Sequence, residues 1–298
     1  MISPKWTRRG LFAATGSALV LAACSKDSTK SSDTSGPTGD AAGGVAAPDS
    51  FVVVQRFPNH PLFTPGDVRL PVSLADTAAN LGDGPATLTG WIEDFDGKRI
   101  VDITAPRRAV GIVVPYWEVR ANLPEAVVYT MRFEGDDGYG ATFELHDASD
   151  VASPRTGTKL PPFDTPTVDN HRGVEPYCTL TPTPCPLHAV TLTEALASGT
   201  PVAYMVGTPA HCTTGTCAPG LEFLVTEHER VGAAITMVHA DVYADDAATT
   251  VAPAVIALNV EYEPIIYLCT ADGAIVDRLD GIWDASELTE RIDLLLAR

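Results

Sequence analysis

The amino-acid sequence predicts a mixed fold, all-β in its first half and α/β in its second, set behind an export leader and a tether. Three observations predict it. Apolar residues alternate with a period of two between Phe51 and Leu145, apolar spacing turns helical after Thr191, and residues 25–50 carry almost no large apolar side chain. Beyond that polar stretch about 250 residues remain, room for two ordinary domains.

In order along the chain, Thr7, Arg8 and Arg9 lead into an apolar run from Leu11 to Ala23 without an acidic residue, closing on Leu21-Ala22-Ala23-Cys24. A charged start, a short hydrophobic segment and a small-residue cleavage site predict an export signal over residues 1–23 rather than a membrane span. The segment resembles a bacterial lipoprotein signal. That resemblance implies a lipidated Cys24 as first mature residue, and a chain anchored by lipid in the cell envelope, facing outside the cytoplasm. The paired arginines resemble a twin-arginine export signal; a plain secretory signal with an incidental Cys24 is the alternative. Residues 24–50, rich in Ser, Thr, Gly, Asp and Ala, form the expected flexible tether.

The whole chain has a formal charge of −18 from 20 basic and 38 acidic residues. Setting aside Lys5, Arg8 and Arg9 of the leader leaves 17 against 38, a net of −21. Such a surface repels phosphates, so nucleic acid is excluded as a partner and membrane attachment falls to the lipid.

From residue 51 to 147 short apolar segments alternate with Gly, Pro, Asn and Asp clusters. Strands are predicted at Phe51–Phe57, Val68–Leu74, Ala86–Ile92 and Val110–Val114. A hairpin follows, in which Val127, Tyr129, Met131 and Phe133 precede Asp136-Asp137-Gly138 and alternation resumes at Ala141, Phe143 and Leu145. Several such strands without an amphipathic helix predict an immunoglobulin-like β-sandwich. The region holds no cysteine and only His60 and His146 at its margins, so no catalytic grouping is expected in it; Trp91, Tyr116 and Trp117 read as core, with a binding surface as the alternative.

Residues 148–188 are Pro- and Thr-rich and predict an irregular connector. Within "PYCTLTPTPCPLH", Cys178 and Cys185 are expected to close a structural disulfide that staples a segment poor in apolar residues. A metal site combining these thiols with His171 or His188 has no recognised ligand spacing.

Residues 189–298 change period. Thr191-Leu192-Thr193-Glu194 is a capping box opening a helix over Leu192–Ala197 that Gly199 closes. A buried strand is predicted at Pro201–Gly207, a helix carrying Leu221, Leu224, Val225 and His228, and a strand at Ile235–Val242. There follow a helix over Ala247–Leu258 interrupted by Pro253, a hairpin of Ile265–Cys269 with Ala274–Leu279, and a last helix capped by Asp284. Strand, helix, strand, helix, hairpin, helix is the order of a thioredoxin fold.

The cysteine pair of "TPAHCTTGTCAPGLEFL" directly after a buried strand, "MVHADVYADD", and "EPIIYLCTADG" with Pro264 just ahead of the hairpin resemble the thioredoxin-like superfamily. More closely they resemble exported bacterial members with CxxxxC in place of CxxC. The likeness covers roughly Ala189 to Arg298. It implies that Cys212 attacks, Cys217 resolves and a cis Pro264 faces both, acting on a thiol or disulfide protein substrate without a cofactor or resident metal. Departures are two extra spacer residues, no Trp before Cys212, and no clear counterpart of the buried acid of thioredoxins.

On one continuous helix, residues five apart rise about 7.5 Å and point more than 100° away from each other, beyond the reach of a disulfide. The pair can bond only if Thr213-Thr214-Gly215-Thr216 is non-helical, which β-branched residues and glycine favour. The helix is then expected to begin near Cys217, with Pro219 tolerated in its first turn. There the helix N-terminus and His211 would favour the Cys212 thiolate. Two other function classes stay open: a non-catalytic binding lipoprotein with structural disulfides, and a copper or zinc carrier drawing on His211, His228 or His239. His228 and His239 read as structural histidines, and Cys269 as a buried, inert thiol.

Overall fold

A computed structural model describes residues 45–46, 50–76 and 79–298. The expected signal peptide, the lipidation at Cys24 and nearly all of the tether lie outside the described residues. No helix among the described residues is long and apolar enough to cross a membrane.

Period-two patterning folds into seven strands: β1 Val52–Gln55, β2 Gly66–Ala75, β3 Thr87–Asp94, β4 Arg99–Arg108, β5 Tyr116–Leu123, β6 Val128–Phe133 and β7 Ala141–Glu144. All pair antiparallel, in the order β1-β2-β5-β4-β3-β6-β7. In β6 the alternation is complete, with Tyr129, Met131 and Phe133 buried between partly exposed neighbours. Strand β4 turns the corner: Arg99 to Pro106 pair with β3, then Arg107 and Arg108 pair with Trp117 and Tyr116 of β5. A strand shared in this way lets the sheet curl. Its edges meet where the Gln55 side-chain amide donates to the Thr142 carbonyl. Leu70, Val72, Leu74, Ile92, Trp117, Val119 and Met131 fill the interior.

Two expectations are corrected here. The strands form one curled, near-barrel sheet rather than two separate ones, because β4 is hydrogen-bonded on both sides. Val110–Val114 is turn and bend, while β4 and β5 supply strands the pattern concealed. Strand β4 has few buried apolar residues, Ile103 and Ala105 among them, and prolines at 106 and 115 interrupt the reading. Tyr116 and Trp117 are core, whereas Trp91 is half-exposed beneath the Arg99 guanidinium, 5.0 Å from its ring centroid.

The second sheet has the order β11-β10-β8-β9, from β8 Val202–Val206, β9 Thr236–Ala240, β10 Ile265–Cys269 and β11 Ile275–Asp280. β8 and β9 are parallel; β10 runs antiparallel to both β8 and β11. Helices cover both faces, so β8 and β10 are buried throughout. Leu221 and Leu224 of α2 (Cys217–Val231) and Leu288 and Ile292 of α4 (Ala285–Leu296) pack on Ala203, Met205, Ile266 and Leu268. Leu192 of α1 (Leu192–Ala197) and Leu258 of α3 (Pro253–Leu258) pack on Tyr204, Val206, Ile265 and Tyr267. The capping box of α1 is formed, and the Asp284 side chain caps α4 by accepting the Glu287 N–H at 2.7 Å. Helix α3 starts only at Pro253: proline suits the first turn, where its missing N–H costs nothing, and so begins the helix instead of interrupting it.

β2 is buried on both faces because its outer face meets the second half of the chain. Arg69 reaches across from β2, donating to Glu287 of α4 through Nε and Nη2, each at 2.6 Å, and to the Ile282 carbonyl at 2.6 Å. The Tyr116 hydroxyl donates to Glu287 and accepts the Asp284 N–H at 3.0 Å. A charge-assisted joint thus ties the curled sheet to α4.

Candidate active site

Strand β8 ends at Val206, and the chain then passes through Gly207 and Thr208 to Cys212 and enters α2 at Cys217. Cys212 and Cys217 form a disulfide with Cα atoms 5.9 Å apart. The spacer is turn and bend, with Gly215 at φ 69°, and the helix begins at Cys217 as the geometric argument requires. Thr216 Oγ1 pins the spacer by donating to the Gly281 carbonyl at 2.8 Å.

The two sulfurs differ in access. Cys217 is fully buried, while Cys212 is partly exposed. The Cys217 backbone N–H, free at the helix start, donates to Cys212 Sγ at 3.3 Å. Thr214 Oγ1 lies 3.1 Å from the same sulfur. His211, expected to assist Cys212, instead sets its ring edge-on to Tyr243, centroids 5.9 Å apart.

Pro264, buried and preceded by a cis peptide, stands against Gly207. A Cβ at residue 207 would lie 3.2 Å from both Pro264 Cβ and Met205 Cε, tighter than ordinary contact, and 3.6 Å from Cys217 Sγ, so the glycine gives room to the close approach of Pro264. Next to it Glu263, missed by the sequence reading, is half-buried. Its Oε2 lies 3.5 Å from Cys217 Sγ and accepts the Thr208 N–H at 2.5 Å. Burial pushes its carboxyl up, against the opposing Thr208 bonds. Its signal was the Glu-Pro step itself.

Cys178 and Cys185 contradict their expected bridge: both are free, buried thiols. Each sulfur instead lies beside an imidazole. His239 Nδ1 lies 3.8 Å from Cys178 Sγ and 3.6 Å from Cys185 Sγ, and 3.2 Å from His188 Nε2. His239 was expected as a structural histidine; of the two histidines weighed as metal alternatives beside these thiols, His188 joins the cluster and His171 pairs with Glu175 at 2.6 Å. Cys185-x-x-His188 at the end of the connector places two of these side chains close together without a recognised ligand pattern, and nothing local pointed to His239, 54 residues beyond Cys185. Cys269 is buried, and burial pushes its thiol up to about 12, an inert group as expected.

A concavity of about 620 Å³ opens elsewhere, beside Arg69, Arg120 and Arg278, and includes no cysteine. Comparison with protein-family models, with curated proteins and with solved structures found no match for this chain.

Proposed function

We propose that the chain is a thioredoxin-like thiol-disulfide exchange protein, exported and held by a lipid on Cys24 at the outer side of the membrane. The observation that carries the reading is the arrangement of one pair: a bonded Cys212–Cys217 at the start of α2, the first cysteine partly exposed and the second buried. The sheet order, with β8 and β9 parallel and β10 and β11 antiparallel, helices on both faces and a cis proline opening β10, supports a thioredoxin-like second half.

The chemistry follows from access and hydrogen bonding. In the reduced protein the Cys212 thiolate, receiving the Cys217 N–H, attacks one sulfur of a substrate disulfide and expels the other as thiolate. A mixed disulfide results. Cys217 then gives its proton to Glu263 and attacks Cys212 Sγ, releasing the second substrate thiolate and leaving the intramolecular disulfide. Two electrons pass from the protein dithiol to the substrate; run backwards, the same steps oxidise a substrate dithiol.

Cys217→Ser removes only the resolving step, so mixed disulfides through Cys212 should accumulate and vanish on reduction. If neither this variant traps a partner nor the native chain reduces insulin above the Cys212→Ser background, the proposal fails. A titration separates it from a permanent staple, because structural bridges lie below about −300 mV.

A further inference from the structure

Outside the Cys212–Cys217 pair, four side chains aim their ligating atoms at one point. Cys178, Cys185 and His188 come from the connector and His239 from β9, all buried, with these atoms within 4.8 Å of one another.

Both imidazoles are oriented from behind. His188 Nδ1 lies 3.2 Å from the Pro166 carbonyl and His239 Nε2 lies 2.8 Å from the Gly207 carbonyl. A carbonyl only accepts, so each ring carries its hydrogen on that outer nitrogen. The inner nitrogens, His188 Nε2 and His239 Nδ1, then face each other 3.2 Å apart with two lone pairs. Such an approach needs either a proton or a metal ion between them, and carbonyl-oriented imidazoles are the usual support of a metal ligand.

The distances favour a tetrahedral ion. With about 2.05 Å to nitrogen and 2.3 Å to sulfur, tetrahedral angles separate two nitrogens by about 3.3 Å and a nitrogen from a sulfur by about 3.6 Å. The protein has 3.2 Å between nitrogens, and 3.6 and 3.8 Å from nitrogen to sulfur. Charge agrees as well. Two thiolates, two neutral imidazoles and one divalent cation sum to zero, so the four ligands and the ion add no net charge beside the buried Asp241 carboxyl, 3.5 Å from His239 Nε2. The Cys185 backbone N–H also donates to Cys178 Sγ at 3.4 Å, which favours a thiolate there.

We propose that Cys178, Cys185, His188 and His239 form a closed N2S2 site for Zn2+, which binds with release of the two thiol protons to solvent. Four protein ligands fill a tetrahedral shell and leave no open position, so the ion is structural. It fastens the proline-rich connector to β9, the task expected of the bridge that does not form. It also braces the redox loop: Gly207 accepts the His239 N–H, and Thr179 Oγ1, next to Cys178, accepts the Ala210 N–H at 3.3 Å. Holding both sulfurs on zinc keeps them from exchanging with Cys212.

The test uses the full chain, purified anaerobically and loaded with Zn2+ or, as a spectroscopic probe, Co2+. One Zn2+ per chain is expected, with the strong visible bands of tetrahedral Co2+ and thiolate-to-cobalt charge transfer. The Cys212→Ser/Cys217→Ser variant should keep full stoichiometry and spectrum, and Cys178→Ser should lose both. Because Cys178→Ser can also fail to fold, the native chain supplies the second measurement: Cys178 and Cys185 resist alkylation until a chelator is added. Binding well below one equivalent, loss of binding in the Cys212→Ser/Cys217→Ser variant, or equal alkylation with and without chelator overturns the site. So does a Cys178–Cys185 disulfide in chains acid-trapped directly from their envelope.

Discussion

Replacing Arg69 by methionine tests the joint between the curled sheet and α4. Arg69 and Glu287 are both buried, at 4% and 0% exposure, and the pair is bidentate. Removing one partner of a buried pair typically costs about 3–5 kcal/mol, because the other charge is left in a poor medium. Here the Ile282 carbonyl loses its donor too, while Arg120 Nη2, 3.4 Å from Glu287 Oε1, and the Tyr116 hydroxyl remain. These residual partners favour the lower end, about 3 kcal/mol, or a melting temperature lower by roughly 10 °C. Arg69→Met/Glu287→Gln should regain most of this, since no charge is then stranded. Urea unfolding followed by circular dichroism and by tryptophan fluorescence measures the loss and asks whether both halves still unfold together. A cost below about 1 kcal/mol for Arg69→Met, or a double variant less stable than the single one, refutes the reasoning. The same pair sets an acid limit. Burial pushes the Glu287 carboxyl up, but the Arg69 guanidinium outweighs it and holds the group below the usual carboxylate range. A depressed folded pKa gives stability that is present above the unfolded value, about 4.3, and lost as pH falls below it. In Glu287→Gln that part of the acid sensitivity should disappear.

Three further outcomes follow from other sites. Glu263→Gln should slow resolution of a Cys212 mixed disulfide roughly 100-fold while leaving its formation nearly unchanged. In stopped-flow measurements the native rate should rise with pH as the raised Glu263 carboxyl deprotonates, and the variant should lack that limb. Gly220→Ala places a Cβ 2.7 Å from the Trp283 ring, so a loss of about 1–3 kcal/mol in urea is expected despite alanine's better helix propensity; unchanged stability would mean that α2 and the 281–284 turn do not pack as described. Chelating the proposed zinc should lower the melting temperature of the Cys212→Ser/Cys217→Ser variant as much as that of the native chain, since neither redox cysteine is a ligand.

How much was legible depended on how local the cause was. The Thr191–Glu194 capping box, the Asp284 cap, the hairpin through Asp272-Gly273 and the start of α2 at Cys217 follow from neighbours within a few residues, and each forms where expected. β4 was hidden because burial against neighbouring strands, not an apolar run, makes it a strand. Glu263 gained its meaning only when the sheet brought it to Cys217, 46 residues earlier.

Cysteine spacing shows the same division. By itself the sequence determined that residues 212–217 can close a loop, since reach and helix geometry over five bonds are properties of the local backbone. It also determined which segments alternate and where α1, α2 and α4 begin. Tertiary structure decided the partners of Cys178 and Cys185: parallel pairing of β8 with β9 carries His239 beneath the connector, and an imidazole between two thiols changes what those thiols do. A short-range constraint acts through the backbone and can be read in order; a cluster gathered from residues 61 apart exists only once the sheet has formed.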